Sequence, residues 1–283
     1  MRIVNFETRG VPGIAADEGS GWHGLTQLDS GFPGTLPELI SQGADLLHIG
    51  RTLGQSPVID LKSVRLLPPV PAPPKILCVG LNYNDHLEES GLKKPEYPEI
   101  FARFATSLIA HQEPIRRPRE STTLDYEAEL AVVIGKPGRR IPQEQALDHV
   151  AGYSLFNDAT LRDFQLRTPQ WTMGKNFDGT GSFGPWLVTP DAVPPGARGL
   201  RIQGRLNGRV MQDSRTDLLI FDVPALIAMI SVAMSLERGD VIITGTPGGV
   251  GAARKPPVFM QAGDIFEVEI EGVGALANSV QEG

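Results

Sequence analysis

Thr123-Leu-Asp-Tyr-Glu-Ala-Glu-Leu-Ala-Val-Val-Ile-Gly135 is the stretch on which the reading of this chain turns. Side chains alternate along a strand, so Glu127 and Glu129 share one face while Tyr126, Ala128, Leu130 and Val132 share the other. The continuation Ala-Val-Val-Ile carries the strand into a core, where two neighbouring carboxylates cost several kcal/mol unless a cation joins them. Two readings are open: an edge strand with its acids in water, or a pair of metal ligands. Val150-Ala-Gly-Tyr-Ser-Leu-Phe-Asn-Asp158 reads as a second buried strand ending on a carboxylate, either a turn residue or a third oxygen ligand. Glu127, Glu129 and Asp158 without thiolate or imidazole suit a hard ion, Mg²⁺ or Mn²⁺ rather than Zn²⁺, with Ca²⁺ also admissible.

The rest of the chain sets the context. At 283 residues, with 41% hydrophobic and 21% charged, it has the composition of a globular protein and no apolar run of membrane-spanning length. Met1–Arg9 lacks a basic start followed by an apolar stretch, so no secretory signal is read. The single cysteine, Cys78, cannot form an internal disulfide and fits a reducing cytoplasm. A net charge of -7 argues against a nucleic-acid partner, and Arg116-Arg-Pro-Arg119 is too short to reverse it.

Residues 1–67 read as a small N-terminal α+β module, with strands at Arg2–Phe6 and Gly13–Ala16 and a helix opened by Thr35, Pro37 and Glu38 and closed by Gly43. The proline-rich run 68–74 is an extended linker, and 75–283 forms the main domain. That domain opens on a buried strand, Lys75–Leu81, followed by Asn82-Tyr-Asn-Asp-His-Leu-Glu-Glu-Ser-Gly91, two helical turns between an asparagine cap and a glycine. On them His86 and Glu89 are neighbours, either a surface ion pair or an oriented base. Residues 83–94 have few apolar anchors and are expected to open and close over a site. The four remaining histidines are read as structural or solvated.

From Asp158 to Trp186 the sequence is glycine-rich without a period, and reads as a packed loop lining a site, with Arg162, Gln165 and Lys175 available to an anion. Asn207-Gly208 is a hairpin turn, and Asp222 caps a helix expected to run with a buried stripe to Gly239. After it, Thr244-Gly-Thr-Pro-Gly-Gly-Val-Gly251 offers backbone N–H groups to a carboxylate or serves as an ordinary turn.

Asn82-Tyr-x-x-His86-x-x-Glu89, Asp125–Gly135, Gly152–Asp158, Arg162-Asp-x-Gln165, Gly174-Lys175 and Thr244–Gly251, in this order across 75–283, resemble the fumarylacetoacetate hydrolase family, in particular an acylpyruvate-hydrolase-like member. The resemblance implies an α+β fold, a rolled mixed β-sheet with short helices, and commonly a homodimer. It implies Glu127, Glu129 and Asp158 as ligands of Mg²⁺ or Mn²⁺, His86 and Glu89 as a water-activating dyad on a lid helix, and Lys175 beside the metal. It further implies Arg162, Gln165 and Thr246 as substrate contacts. The stretch Asp178–Gly184 departs from the usual family pattern and leaves the substrate open. The expected reaction is hydrolysis of a C–C bond in a 2,4-dioxo acid to pyruvate and a carboxylic acid. The alternative is an oxaloacetate-type decarboxylase or oxo-diacid isomerase using the same metal-enolate chemistry.

Overall fold

The computed structural model describes residues 1–90 and 94–283. Alternation along Ala128–Ile134 separates two cores. Leu130, Val132 and Ile134 turn towards a smaller sheet and one helix, whereas Ala131 and Val133 turn towards two short N-terminal helices. A strand buried on both faces needs cover on both, and the architecture supplies it.

The larger sheet runs, neighbour to neighbour, through His23–Thr26, Val11–Asp17, Arg2–Thr8, Gly181–Val188, Val150–Asp158, Ala128–Ile134, Val241–Ile243, Ile76–Gly80 and Glu99–Arg103. Most pairs are antiparallel, but Val241–Ile243 lies parallel to Ile76–Gly80, so the sheet is mixed. The smaller sheet orders Arg209–Arg215, Arg201–Leu206, Ile265–Ile270, Gly274–Glu282 and Ile115–Arg117. With few short helices, this is the rolled mixed-sheet architecture expected from the sequence.

Residues 1–67 contribute edge strands to the same large sheet, Arg2 opposite Val188 and Ile3 opposite Leu187. Helix Leu36–Gln42 forms as its cap pattern requires. Thr35 N–H donates to Glu38 Oε2 at 2.8 Å, and Gly43 ends the helix in the left-handed region at φ 71. Leu36, Leu39 and Ile40 pack against the face that also holds Phe156, Phe183 and Ile243.

Three elements differ from the sequence reading. Gly181–Val188, expected as loop, is a buried central strand, because Phe183, Leu187 and Val188 pack on the neighbouring strands despite the glycines and proline between them. The helix capped by Asp222 spans Val223–Ala233 and stops short of Gly239. There Leu236 turns extended and exchanges both backbone bonds with Gly138, at 2.8 and 3.0 Å, leaving Ala233 exposed. Asn82 does not cap the helix Asn84–Ser90. Its amide donates to Phe221 O and Thr244 O at 2.9 and 2.7 Å and accepts from Phe221 N–H at 2.8 Å, tying the root of the helix to two distant segments. Gly91, expected to close the helix, lies outside the described residues.

Candidate active site

The register of two strands builds the acidic cluster. Glu129 stands opposite Phe156 and Ala128 opposite Asn157, which sets Asp158 across from Glu127, with Asp158 N–H donating to Glu127 O at 3.0 Å. All three carboxylates therefore fall on one face, buried, with one oxygen of each within 4.8 Å of the others. Lys175, at the end of Thr172–Lys175, donates to Glu127 at 2.8 Å and to Asp158 at 2.6 Å. Burial pulls the Lys175 ammonium down, but Asp158 and Glu127 outweigh it and hold the group above its usual value. Burial likewise pushes Glu127 up, and Lys175 with Arg162 overcomes it, leaving that carboxyl at about 2.

Glu129 is treated differently. Its bond comes from Gly245 N–H and no cation pairs with it among the described residues, so burial and the neighbouring Asp158 and Glu127 push it well above the ordinary carboxylate range. A buried acid facing two others without its own counter-ion is the arrangement a cation relieves. Glu127, Glu129, Asp158 and Asp125 stand against Lys175, Arg103 and Arg162, an excess of one negative charge when all are ionised. A divalent ion would turn this into an excess of one positive charge, suited to an anionic substrate, so the donor set fits such an ion.

Two members of this network were not reached from sequence. Arg103, fully buried at the end of Glu99–Arg103, pairs with Asp158 and donates to Thr180 Oγ1 at 2.7 Å. Asp125 accepts from Arg162 Nε at 2.8 Å and from Gly251 and Ala252 N–H at 2.7 and 2.9 Å. It aims Arg162, whose Nη1 bonds Glu127 at 2.8 Å and Gln165 Oε1 at 2.9 Å. The Arg162 Nη2 has no partner among the described residues. Asp125 lay inside the quoted stretch, where an acid just before Glu127 and Glu129 was a usable signal; no local pattern marks Arg103.

Facing the acids is the helix Asn84–Ser90. His86 Nδ1 lies 2.7 Å from Glu89 Oε1, and since a carboxylate only accepts, Nδ1 carries the proton and Nε2 is left as the basic nitrogen. The other oxygen of Glu89 accepts from Gly249 N–H at 2.8 Å. The glycine-bearing loop after Val241–Ile243 thus gives its N–H groups to protein carboxylates: Gly245 to Glu129, Gly249 to Glu89 and Gly251 to Asp125. Thr246 Oγ1 donates to Ala128 O at 3.0 Å and accepts from Gln212 Nε2 at 2.8 Å.

These parts enclose one cavity of about 360 Å³. His86, Glu89, Glu127, Glu129, Arg162, Gln165, Lys175 and Thr246 all line it, while Asp158 lies behind Lys175. Phe101 and Trp171, edge to face with centroids 5.5 Å apart, form an apolar wall. Trp171 lies so close over Gly80 that a Cβ there would come within 2.2 Å of its ring. The remaining histidines are elsewhere: His23 and His149 bond backbone carbonyls, and His111 accepts from Ala277 N–H.

The chain that carries this site is similar to known proteins over nearly its whole length. The family described as "Fumarylacetoacetate (FAA) hydrolase C-terminal" matches residues 75–281. A protein from Xenopus laevis called oxaloacetate tautomerase fahd2, mitochondrial, is 40% identical over 288 residues, covering 99% of this chain and 90% of its own. Among solved structures, a fumarylacetoacetate hydrolase from psychrophilic Exiguobacterium antarcticum is 38% identical with a TM-score of 0.86, covering all of both chains. A maleylpyruvate hydrolase from Sphingobium sp. SYK-6, solved with manganese (II) and pyruvate, is 30% identical with a TM-score of 0.82, again over all of both chains. The chain belongs to the fumarylacetoacetate hydrolase family, whose members here include hydrolases, isomerases and tautomerases.

Proposed function

We propose that this enzyme interconverts the keto and enol forms of a small 2-oxo diacid of the oxaloacetate type, with Mg²⁺ or Mn²⁺ held by Glu127, Glu129 and Asp158. The observation that carries the proposal is the placing of one oriented base, His86, across a single cavity from two cations, Lys175 and Arg162. The full-length likeness to an oxaloacetate tautomerase supports the choice among reactions. This moves the emphasis from the hydrolysis that the resemblance implies towards its alternative, an oxaloacetate-type decarboxylase or oxo-diacid isomerase, with keto–enol isomerisation as the reaction.

The bound cation would supply Lewis-acid stabilisation of the charge that develops on the 2-oxo oxygen. His86 Nε2 takes a proton from C3, and Glu89 holds the resulting imidazolium through Nδ1–H. Lys175 spends two of its three N–H groups on Glu127 and Asp158 and has a third to hydrogen-bond the 2-oxygen; the enolate takes its proton from water, and His86 gives the C3 proton to the hydroxide left behind, so the base is regenerated. Arg162, fixed by Asp125, offers Nη2 to the distal carboxylate. In the reverse direction the same groups return the proton to C3.

A second reading, hydrolysis of an acylpyruvate, uses the same dyad to activate water. The apolar wall of Phe101 and Trp171 favours it, since a four-carbon diacid makes no use of that surface. The test is to follow the enol absorbance of oxaloacetate with purified protein and Mn²⁺, beside a panel of acylpyruvates assayed for pyruvate release. We expect faster keto–enol equilibration, lost with a chelator and reduced at least about 100-fold in His86→Ala, the size of a general-base contribution. Equilibration no faster than in buffer would overturn the proposal, and pyruvate release from acylpyruvates would put the second reading in its place.

A further inference from the structure

The strand carrying Glu127 and Glu129 loses its neighbour where those acids begin. Val241–Ile243 pairs with it only from Ala131 to Val133, Thr244 N–H still reaches Leu130 O at 3.0 Å, and the chain then leaves through Gly245 at φ 105. Ala128, between the two acids, is left with an N–H and a C=O facing a gap. Side chains fill it: Gln212 Oε1 accepts the N–H at 2.9 Å, and Thr246 Oγ1 donates to the C=O at 3.0 Å. The Gln212 Nε2 then closes the ring by donating to Thr246 Oγ1 and to Pro247 O, both at 2.8 Å.

Gln212 comes from the smaller sheet, from Arg209–Arg215, and is 1% exposed. Only an amide offers one acceptor and two donors at this reach; a glutamate has no donor for Thr246 or Pro247. Space is reserved for it as well, because a Cβ at Gly204 would come within 2.8 Å of its Oε1.

We propose that Gln212 is a positioning residue for the carboxylate cluster: by standing in for the missing strand, it fixes Glu127 and Glu129 against the Gly245–Pro247 turn and so sets the affinity for a divalent cation. The inference rests on the reading of those acids as a cation site. Groups that orient metal ligands from behind typically contribute ten- to a hundredfold in affinity.

The experiment titrates Mn²⁺ into the full chain, parent and Gln212→Met, reading free Mn²⁺ by electron paramagnetic resonance with circular dichroism as the check on folding. The expected result is a Kd raised about ten- to a hundredfold in a folded variant. Gln212→Glu, which keeps the acceptor for Ala128 and loses both donors, is the second variant and takes over if the methionine variant does not fold. A second readout, amide exchange at Ala128 in metal-free protein, should be faster in Gln212→Met and unchanged in Gln212→Glu. A folded variant whose Mn²⁺ Kd stays within about twofold of the parent, against the tenfold or more expected, overturns the inference. A parent that binds no Mn²⁺ sinks the cation reading instead, and exchange at Ala128 at the parent rate in Gln212→Met would then remove the positioning role too.

Discussion

Charge at single residues is arranged here by burial as much as by pairing. Arg103 and Asp158 are both fully buried, and with Lys175 on its other oxygen Asp158 has two cationic partners, whereas Glu129 has none among the described residues. His111 shows the same control away from the cavity. Its Nδ1 accepts from Ala277 N–H at 3.1 Å, and burial lowers its pKa, so the folded protein keeps the ring neutral. Below the usual histidine value of about 6.5 the unfolded chain takes up a proton that the fold refuses. Stability should therefore fall as pH drops below that value and level off once the lowered folded value is passed. The slope contributed by one proton is at most about 1.4 kcal/mol per pH unit. His111→Gln should flatten the difference in thermal midpoint between pH 7.5 and pH 5.5; parallel pH profiles for parent and variant would exclude the role. At this scale the sequence revealed what local spacing encodes: Glu127 with Glu129 two apart, and His86 with Glu89 three apart. Arg103 reaches Asp158 across 55 residues and Gln212 reaches Ala128 across 84, and no spacing rule carries such contacts.

Among the elements, the helix Asn84–Ser90 carries Glu89, which makes one bond within the helix and one outside it. One oxygen orients His86 and the other accepts from Gly249, so the bond that aims the imidazole shares a carboxylate with the bond that seats the helix. The two roles separate by substitution. Glu89→Gln can still accept from Gly249 through Oε1, but its NH₂ would face Nδ1 as a donor and move the imidazole proton to Nε2, removing the base. Glu89→Ala loses both contacts. Hydrogen exchange over the helix should therefore be near the parent rate in the glutamine variant and clearly faster in the alanine variant, while both lose at least about 100-fold in turnover, as for loss of a general base. Equal exchange in Glu89→Ala and parent would show that Gly249 does not seat the helix. Elements were legible where pattern and burial agreed, as in Val150–Asp158 and the helix after Thr35. Gly181–Val188 was not, because glycine at two of its eight positions and a proline hide an apolar strand whose stability comes from neighbours on both sides.

In the whole molecule, the acids sit on a face of the large sheet whose cover is N-terminal. Met1, Ile3, Leu36, Leu39, Ile40 and Leu53 share one core with Phe156, Phe183, Leu187 and Ile243; Phe156 precedes Asp158 by two residues on the same strand, and Phe183 stands opposite Phe156 on the next. Arg2 and Ile3 also pair with Val188 and Leu187, covering one end of the edge of Gly181–Val188. The sequence marks a boundary at the proline-rich run 68–74, and the family match begins at residue 75, but composition cannot tell whether strands on the two sides of a linker pair. Residues 75–283 alone should therefore fold poorly. Each fully buried large apolar side chain lost from a core removes about 1.5–3 kcal/mol of burial, and several such losses exceed the 5–15 kcal/mol by which a typical domain is stable. Expressed without residues 1–74, the chain should be largely insoluble or show no cooperative thermal transition. Co-expression with residues 1–74 as a separate piece should restore soluble protein by re-forming the pairing of Ile3 with Leu187. A cooperative melt and Mn²⁺ binding in the isolated 75–283 piece would mean that the N-terminal strands cover the large sheet without supporting it.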